Sequence, residues 1–295
     1  MNELMDIKSQ LRNYEQFSPF YRVTNEVGND LIIRESLYTG SFCDYIADLN
    51  DGVVWDLELV NKGLEKIGLK NVSGDIVDLC CGDGRLTKYI YDKGYSTYGI
   101  DYSKEQINRA YKKYPMLDWV SANLLDEKEF TAGILKSTVI AAVTSSASVN
   151  CFHSKEDLNL FLKNVQKVLG RKGCKYLLLP VFADEAVSIF KENFNGKILC
   201  HPFKKNDDQK HVMAWLSLLY DEKKESLIQP ILVTANSNKD KIKHEFCYSV
   251  DRIWTETDIL NITSDLNWKV KFKIPSHVIG GGADQMPFTL LAFEI

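Results

Sequence analysis

The fold is indicated most clearly by the stretch Ile76-Val-Asp-Leu-Cys-Cys-Gly-Asp-Gly-Arg-Leu86. An apolar run leads directly into a turn that holds two glycines, and a helical pattern follows. Because glycine has no side chain, Gly82 and Gly84 let the backbone turn sharply and approach a ligand at the carboxyl end of the strand. Asp101 stands 19 residues after Gly82 at the end of a second apolar run, where a carboxylate is suited to bind both ribose hydroxyls. The pattern predicts an α/β sheet that binds an adenosine-containing cofactor.

The bulk composition excludes several classes of protein. A chain of 295 residues with 45% apolar residues can bury one large domain, with or without an insertion. Seven prolines, 17 glycines and the lack of a low-complexity tract argue against long disordered segments. The net charge of -4 and the pI near 5.8 give no general attraction to phosphates, so we expect no nucleic-acid partner.

Location and metal content are predicted from what the sequence lacks. No apolar run approaches the ~20 residues that span a bilayer, and the amino terminus has no basic region followed by an apolar one. We therefore expect a cytoplasmic protein that does not associate with membranes. The seven cysteines are an odd number without a C-x-x-C pair, which fits neither a disulfide framework nor a zinc site, and no metal is expected.

Strand-like and helix-like patterns alternate through the middle of the chain. A helix is predicted over residues 53–67, the later helices over 85–93, over 104–114 and after Ser154, and the strands over 76–80, 96–100, 117–120, 138–143 and 175–182. Such alternation requires crossover connections. It predicts a doubly wound α/β fold: a mainly parallel sheet with helices on both faces.

The periodicity changes after residue 182. Strand-like runs at 213–220, 227–234 and 243–250, separated by charged turns, predict an antiparallel β patch inserted into the main sheet. A helix at about 257–265 and strands near 269–274 and 288–295 would return the chain to that sheet and bring it to seven strands. We expect a helical, aromatic amino-terminal cover (1–50), a Rossmann-like cofactor domain (51–182 and 255–295) and the antiparallel insertion (183–254).

Three stretches together resemble the class I, Rossmann-like S-adenosylmethionine (SAM)-dependent methyltransferases. They are Asp78-Leu-Cys-Cys-Gly-Asp-Gly-Arg-Leu-Thr87, Gly99-Ile-Asp-Tyr-Ser103, and Val168-Leu-Gly-Arg-Lys-Gly173 before a strand. The insertion after the fifth strand, with the segments 252–260 and 266–268, is similar to small-molecule methyltransferases, including the glycine and amino-sugar N-methyltransferase groups. The resemblance covers residues 38–295 and implies an enzyme that uses SAM and releases S-adenosylhomocysteine (SAH).

The resemblance also implies which positions contact the cofactor. The loop positions Asp78, Cys80, Gly82 and Gly84 would surround its amino-acid and ribose parts. Asp101 would bind the ribose hydroxyls, and Tyr102 would lie beside the adenine.

Other implied contacts lie outside the first loop. Asn123 would face the adenine amino group, and Leu124 would supply a backbone contact. Thr144 and Ser145 would lie near the methionine part and the sulfonium. Tyr38 stands where relatives often have a tyrosine that covers the cofactor.

Two departures from the family pattern matter. Cys80 replaces the first loop glycine, so we expect that the loop is slightly displaced or that the cysteine points away. The fourth strand ends Val143-Thr-Ser-Ser-Ala147, without the acid or asparagine, two prolines and aromatic residue of methyltransferases that act on nucleic-acid bases or glutamine. This argues against a base-modifying enzyme.

A nicotinamide cofactor is the nearest rival, but its loop needs a small residue where Thr87 stands.

Six residues are candidates for binding the acceptor, each with a local alternative. After the fourth strand, Ser148 and Asn150 could orient a polar acceptor or make turn hydrogen bonds, and His153 could be a base or a loop residue before a helix cap. In the insertion, which forms a lid in relatives, the candidates are His201, Trp215 and Arg252. The alternatives include a core position for Trp215 and a salt bridge for Arg252.

We therefore expect a methyltransferase that acts by direct displacement on a small molecule or short peptide. Family analogy favours an amine nitrogen and a role in specialised-metabolite biosynthesis, while oxygen and carbon acceptors remain open. No catalytic side chain is required, because the sulfonium already activates the methyl group. A non-catalytic SAM sensor or partner protein is the alternative from another class. Pairing of insertion strands could form a homodimer.

Overall fold

The computed structural model describes residues 2–50, 52–136, 138–145, 148–193, 195–204, 211–236, 242–279 and 285–295. In chain order its elements are α1 Asn2–Arg12, α2 Ser18–Val27, β1 Leu31–Arg34, α3 Ser41–Leu49, α4 Trp55–Ile67, β2 Asp75–Leu79, α5 Arg85–Asp92, β3 Thr97–Asp101, α6 Lys104–Lys113, β4 Asp118–Ser121, α7 Glu127–Gly133, β5 Val139–Val143, α8 Lys155–Asn164, β6 Tyr176–Phe182, α9 Ala186–Asn193, β7 Ile198–Lys204, β8 His211–Ser217, β9 Leu219–Asp221, β10 Ser226–Asn236, β11 Ile242–Arg252, α10 Glu256–Ser264, β12 Lys269–Ile279 and β13 Gln285–Glu294.

The chain divides into two units, which are described separately. The first unit comprises Met1–Gly52 and Val187–Arg252, and the second comprises Val53–Ala186 and Ile253–Ile295. Within the described residues, no helix has both the length and the apolar content needed to cross a membrane.

The second unit is built on a seven-stranded sheet in the order β12-β13-β6-β5-β2-β3-β4. The five strands β2 to β6 are parallel to their neighbours in this group, whereas β13 is antiparallel to both β6 and β12. The predicted mainly parallel sheet is therefore confirmed. The ends of strands β2 to β6 lie within one residue of the predicted ends.

Helices cover both faces of this sheet, as predicted. On one face, Leu64 of α4 and Ile90 of α5 pack with Ile76 and Val143. On the other face, Phe161 of α8 and Ile259 of α10 pack in the cluster of Val77 and Ala142. The neighbouring residues of β2 and β5 alternate between these clusters because successive strand side chains point to opposite faces. Burial on both faces explains why the strands are almost continuously apolar.

The helix after Ser154 begins where the sequence predicts. The Ser154 side chain accepts a hydrogen bond from the backbone N–H of Asp157, which caps the helix. The helix continues through one π-helical segment, Val165–Leu169. Helix α7 was not predicted. Its start is marked by Asp126, whose carboxylate accepts from the backbone N–H groups of Lys128 and Glu129.

The first unit holds a separate sheet in the order β1-β11-β10-β8-β7, with β9 also paired to β10. The three predicted runs correspond to β8, β10 and β11, and the pairs β8–β10 and β10–β11 are antiparallel as predicted. The expectation that they join the main sheet is wrong, because they belong to this separate sheet. Strand β1, from the segment expected to be a helical cover, pairs in parallel with β11. Strand β7 was missed because His201 and Pro202 interrupt its apolar pattern. Its ladder with β8 is antiparallel.

Helices also cover both faces of the second sheet. On one face, Phe42 and Tyr45 of α3 pack with Val212 and Ile231. On the other, Leu11, Phe17 and Phe20 of the amino-terminal segment pack with Ile228 and Phe246. Four aromatic residues near the amino terminus are therefore core residues of the first unit: Phe17, Phe20, Phe42 and Tyr45.

Candidate functional site

The loop after β2 turns through three left-handed backbone positions. The φ angles are +58° at Cys80, +55° at Gly82 and +87° at Gly84. The Cys81 N–H donates to the Ile100 carbonyl, and the Gly84 N–H donates back to the Cys81 carbonyl, each at 3.0 Å. Cys80 keeps the conformation in which glycine is usual, which costs about 1–2 kcal/mol for a residue with a Cβ. The cysteine therefore adapts to the turn.

The two loop glycines are required for different reasons. A Cβ placed on Gly82 would meet no protein atom within 4 Å among the described residues, so the space beside it is open. A Cβ on Gly84 would lie 2.2 Å from Cη2 of Trp119. Gly84 is thus explained by packing against Trp119 and by its φ angle, whereas Gly82 borders space that a ligand could occupy.

Asp101 at the end of β3 is bonded to the same loop. Its Oδ2 accepts from the Gly82 N–H and its Oδ1 from the Ser103 N–H, each at 2.8 Å. Burial raises the pKa of this carboxyl, although the two N–H donors act in the opposite direction. Because a carboxylate oxygen has two lone pairs, each oxygen retains the capacity to accept from a hydroxyl group.

Asp78 lies fully buried near the end of β2. Its Oδ2 accepts from the Thr87 hydroxyl of α5 at 2.6 Å, whereas its Oδ1 has no hydrogen-bond partner in the described part of the chain. Burial, reinforced by Asp101, raises the pKa of Asp78 to about 7. Thr87, the residue that argues against a nicotinamide cofactor, thus orients this carboxyl.

A second buried polar atom without a partner lies at the end of the next strand. Thr144 follows β5 and is fully buried. Its hydroxyl makes no hydrogen bond within the described residues. Strand β5 is adjacent to β2, with Val143 opposite Asp78. Leaving a buried polar group unpaired costs about 1–3 kcal/mol. Two such atoms at the carboxyl ends of adjacent strands fit a ligand that carries its own hydrogen-bonding groups.

The positions expected near adenine lie on the neighbouring strands. Tyr102 follows β3 and is 74% exposed. Asn123 follows β4, and its Oδ1 accepts from the Leu125 N–H at 3.0 Å. The side chain of Leu124 is buried, while its carbonyl accepts from the side-chain amide of Asn164 at 2.9 Å. The amide oxygen of Asn123 is therefore partly engaged by its own turn.

Two residues of the loop after β5, Ser148 and Asn150, are hydrogen-bonded to other parts of the chain. The Ser148 hydroxyl donates to the Ser145 carbonyl at 2.6 Å, and Oδ1 of Asn150 accepts from the Trp254 N–H at 3.3 Å. His153 is exposed before the capped helix. The Ser148 contact matches the alternative of a turn hydrogen bond, whereas Asn150 contacts a residue 104 positions later in the chain.

Four predicted residues belong to the first unit. Arg252 donates to the Lys224 carbonyl at 2.9 Å and pairs with Glu225, which matches the salt-bridge alternative. Trp215 is 41% exposed on β8, so it is not a core residue. Tyr38 is 38% exposed. His201 pairs with Asp48 of α3, a partner that the sequence did not indicate.

One structural pair near the loop was also missed. Arg85, the first residue of α5, donates to the Val53 carbonyl at 2.7 Å and to the Asp56 carboxylate at 2.9 Å. Asp56 is fully buried in the first turn of α4. The pair fixes the start of α5, and therefore the end of the loop, against α4. Residues about 30 positions apart give no local signal for such a contact.

A cavity of about 580 Å³ opens at the other end of the strands, beside Asp75, Ser96 and Thr138. These residues lie at the amino ends of the strands, whereas ligands of open α/β sheets bind outside the carboxyl ends. The cavity is therefore distinct from the candidate site.

Comparison with known proteins finds a methyltransferase domain within the chain. Residues 76–173 match a family described as a methyltransferase domain, a segment that contains Asp78, Gly82, Asp101 and Thr144. YqeM of Bacillus subtilis (strain 168), assigned as a methyltransferase, is 30% identical over 100 residues. That alignment covers 34% of this chain and 40% of YqeM, so the chain spans less than half of this curated relative.

Solved structures share the fold over most of the chain. A SAM-dependent methyltransferase from Clostridium acetobutylicum ATCC 824 has a TM-score of 0.62 at 14% identity, covering 85% of this chain and 98% of its own. CalS10, an amino pentose methyltransferase from Micromonospora echinaspora, has a TM-score of 0.58 at 12% identity, with 88% and 99% covered. The glycopeptide N-methyltransferase MtfA has a TM-score of 0.53 at 16% identity, with 94% and 97% covered. The predicted class I fold is confirmed.

Proposed function

We propose that this chain, whose residues 76–173 form a methyltransferase domain on a class I fold, transfers a methyl group from SAM to a small molecule or short peptide. One observation carries the proposal: the loop around Gly82 is bonded to Asp101 beside open space, and two buried polar atoms, Asp78 Oδ1 and Thr144 Oγ1, have no partner among the described residues.

The residues of the loop fit the polar groups of the cofactor. Asp101 has a free lone pair on each carboxylate oxygen and would bind the two ribose hydroxyls. Oδ1 of Asp78 would accept a hydrogen bond from the amino-acid part, and Thr144 and Ser145 would lie near the same part. The open space at Gly82 would admit the ribose. SAH would bind to the same groups.

The remaining cofactor contacts are proposed from the family resemblance. Cys80 and Gly84 would shape the loop, Tyr102 would lie beside the adenine, and Asn123 with the backbone of Leu124 would contact its edge. Tyr38 would cover the cofactor.

The chemistry asks for positioning more than for reactive side chains. SAM, when bound, supplies a methyl group that its sulfonium already activates. The chain must hold the acceptor's nucleophile in line with that group and exclude water, and orientation of this kind contributes roughly 7–11 kcal/mol to lowering a barrier. We assign no catalytic residue, since an amine can lose its proton to solvent before it binds.

For the acceptor atom we propose an amine nitrogen. The support is that CalS10 is an amino pentose methyltransferase and MtfA a glycopeptide N-methyltransferase, and that both share the fold. CalS10 is also described as involved in calicheamicin biosynthesis, which agrees with a role in specialised metabolism. Transfer to oxygen or carbon, and a non-catalytic SAM-binding role, are the alternatives. Cytoplasmic location, the lid role of residues 183–254 and a homodimer stay predictions.

The test is formation of SAH in the presence of defined acceptors. The protein is incubated with SAM and a panel of amino sugars, aryl amines, phenols and short peptides, and mass spectrometry follows SAH and the methylated product. The Asp101→Ala variant serves as the matched control. N-methylated products from the wild type alone support the proposal. Products methylated only on oxygen or carbon overturn the amine assignment, and SAM binding without turnover of any acceptor favours the non-catalytic role.

A further inference from the structure

A cavity of about 350 Å³ lies entirely within the first unit. Its floor is a cross-strand row of three apolar side chains. Leu199 of β7 lies directly opposite Leu216 of β8, and Leu216 lies opposite Ile231 of β10. Because directly paired residues share one face of a sheet, the three side chains form a continuous apolar surface.

Helix α3 forms the facing wall of this cavity. Tyr45, Ile46 and Leu49 from its last two turns line the cavity together with Leu37. Leu49 and Leu199 are 42% and 40% exposed, so the cavity opens to solvent between the end of α3 and the edge strand β7. Its volume falls within the roughly 300–1,000 Å³ of small-molecule sites.

One end of the cavity is polar. Nε2 of His201 lies 2.9 Å from Oδ2 of Asp48, and the side chains are 37% and 33% exposed. The ring of Tyr45 packs edge-on against the imidazole, with 5.9 Å between ring centroids. Ala214 stands opposite His201 on β8. The second imidazole nitrogen of His201, a residue that lines the cavity, can bind a further polar group.

We infer that this cavity binds a small molecule with an apolar, ring-sized portion and a hydroxyl or amine substituent. The apolar portion lies on Leu199, Leu216 and Ile231, and the substituent bonds to His201, which Asp48 holds in place. Largely apolar walls give water few of the two to four polar partners that it needs.

Binding of fluorinated fragments, followed by ¹⁹F NMR on the full chain without SAM, tests the inference. The probes are para-fluorophenol, para-fluorobenzylamine, fluorobenzene and, as a polar comparator, fluoroacetate. Leu199→Trp fills the cavity from β7, and Leu49→Trp fills it from α3. Ile198→Trp is the matched control, since Ile198 neighbours Leu199, is similarly exposed at 43% and does not line the cavity. His201→Phe removes the polar group and keeps a ring against Tyr45.

We expect the wild type and Ile198→Trp to bind the three ring compounds and not fluoroacetate, and both cavity-filling variants to lose this binding. His201→Phe should bind the phenol and the benzylamine about ten-fold more weakly, which corresponds to about 1.4 kcal/mol, with fluorobenzene unchanged. Circular dichroism checks that each variant is folded. One folded cavity-filling variant is enough for the test.

Several outcomes would overturn the inference. They are no binding of ring compounds to the wild type, equal binding of fluoroacetate, and wild-type binding by a folded filling variant. An equal loss of all three ring compounds in His201→Phe would refute the polar end. Titration of the same wild-type sample with SAM tests the proposed function separately, because fragment binding does not require SAM.

Discussion

Oδ2 of Asp101 accepts a hydrogen bond from the backbone N–H of Gly82 at 2.8 Å, which joins the end of β3 to the loop after β2. The carboxylate that is suited to bind a ribose therefore also holds the loop in position. The loop and the acid form one unit, so a change at either residue should alter ligand binding more than the overall fold.

Replacing Asp101 with alanine tests this unit at the carboxylate. We expect SAM affinity to fall by about 1.5–3 kcal/mol, because hydrogen bonds to a charged group contribute that much. Calorimetric titration measures the change. Asp118→Ala is the control, since Asp118 is an acid of the neighbouring strand β4 that pairs with Lys136 at the surface. Unchanged affinity in Asp101→Ala would show that this carboxylate does not bind the cofactor.

Replacing Gly82 with valine tests the open space beside the loop. The added Cβ would meet no described protein atom within 4 Å, and the side chain would occupy the proposed ribose position, so SAM binding should be lost in a folded protein. Gly94→Val is the matched control, because Gly94 also has a positive φ and an unobstructed Cβ position, and it lies outside the loop. Both variants carry backbone strain of about 1–2 kcal/mol. Normal binding by Gly82→Val would place the ligand elsewhere.

Gly84 should respond differently, through stability. Replacing it with alanine places a Cβ 2.2 Å from the Trp119 ring. Overpacking of this kind costs about 1–3 kcal/mol, in addition to the strain of a positive φ. Urea unfolding measures the loss, and a second change, Trp119→Leu, should recover the overpacking part of it. If Gly84→Ala were as stable as the wild type, packing against Trp119 would not explain this glycine.

Asp78 should make stability depend on pH. Its pKa rises from 3.8 in the unfolded chain to about 7 in the folded protein, mainly through burial. Between these values the folded protein holds a proton that the unfolded chain has released, so the free energy of unfolding falls as pH rises, by up to about 1.4 kcal/mol per pH unit. Above pH 7 the loss is complete.

The Asp78→Asn variant isolates this effect. Asparagine cannot ionise and keeps an oxygen for the Thr87 hydroxyl. Relative to the wild type, the variant should therefore gain stability steadily as pH increases from about 4 to 7. Urea unfolding of both proteins at four pH values across this window measures the difference. A constant difference between the two proteins would mean that Asp78 titrates normally.

The parallel sheet was predictable because its information is local. Strands β2 and β5 are apolar runs, and the loop glycines and Asp101 stand at a fixed spacing from them. The class of cofactor followed from the same residues. For Cys80 the sequence left two alternatives open. A cysteine adopts a φ of +58° because its surroundings stabilise that conformation, and the sequence does not show those surroundings.

Contacts between distant segments could not be predicted. Strand β1 is four residues long and pairs with β11, which lies more than 200 positions later. The pair of Asp48 and His201 joins residues 153 positions apart. The sequence of neither segment indicates its partner, so the place of β1 in the sheet and the cavity beside His201 become visible only in three dimensions.

Calorimetric titration of the wild type with SAM, SAH and NADH in parallel tests whether the loop around Gly82 and Asp101 binds SAM. It needs no knowledge of the acceptor. We expect micromolar binding of SAM and SAH, and no binding of NADH. Binding of NADH alone, or of none of the three compounds, would contradict the assignment of the loop around Gly82 and Asp101 as a SAM site.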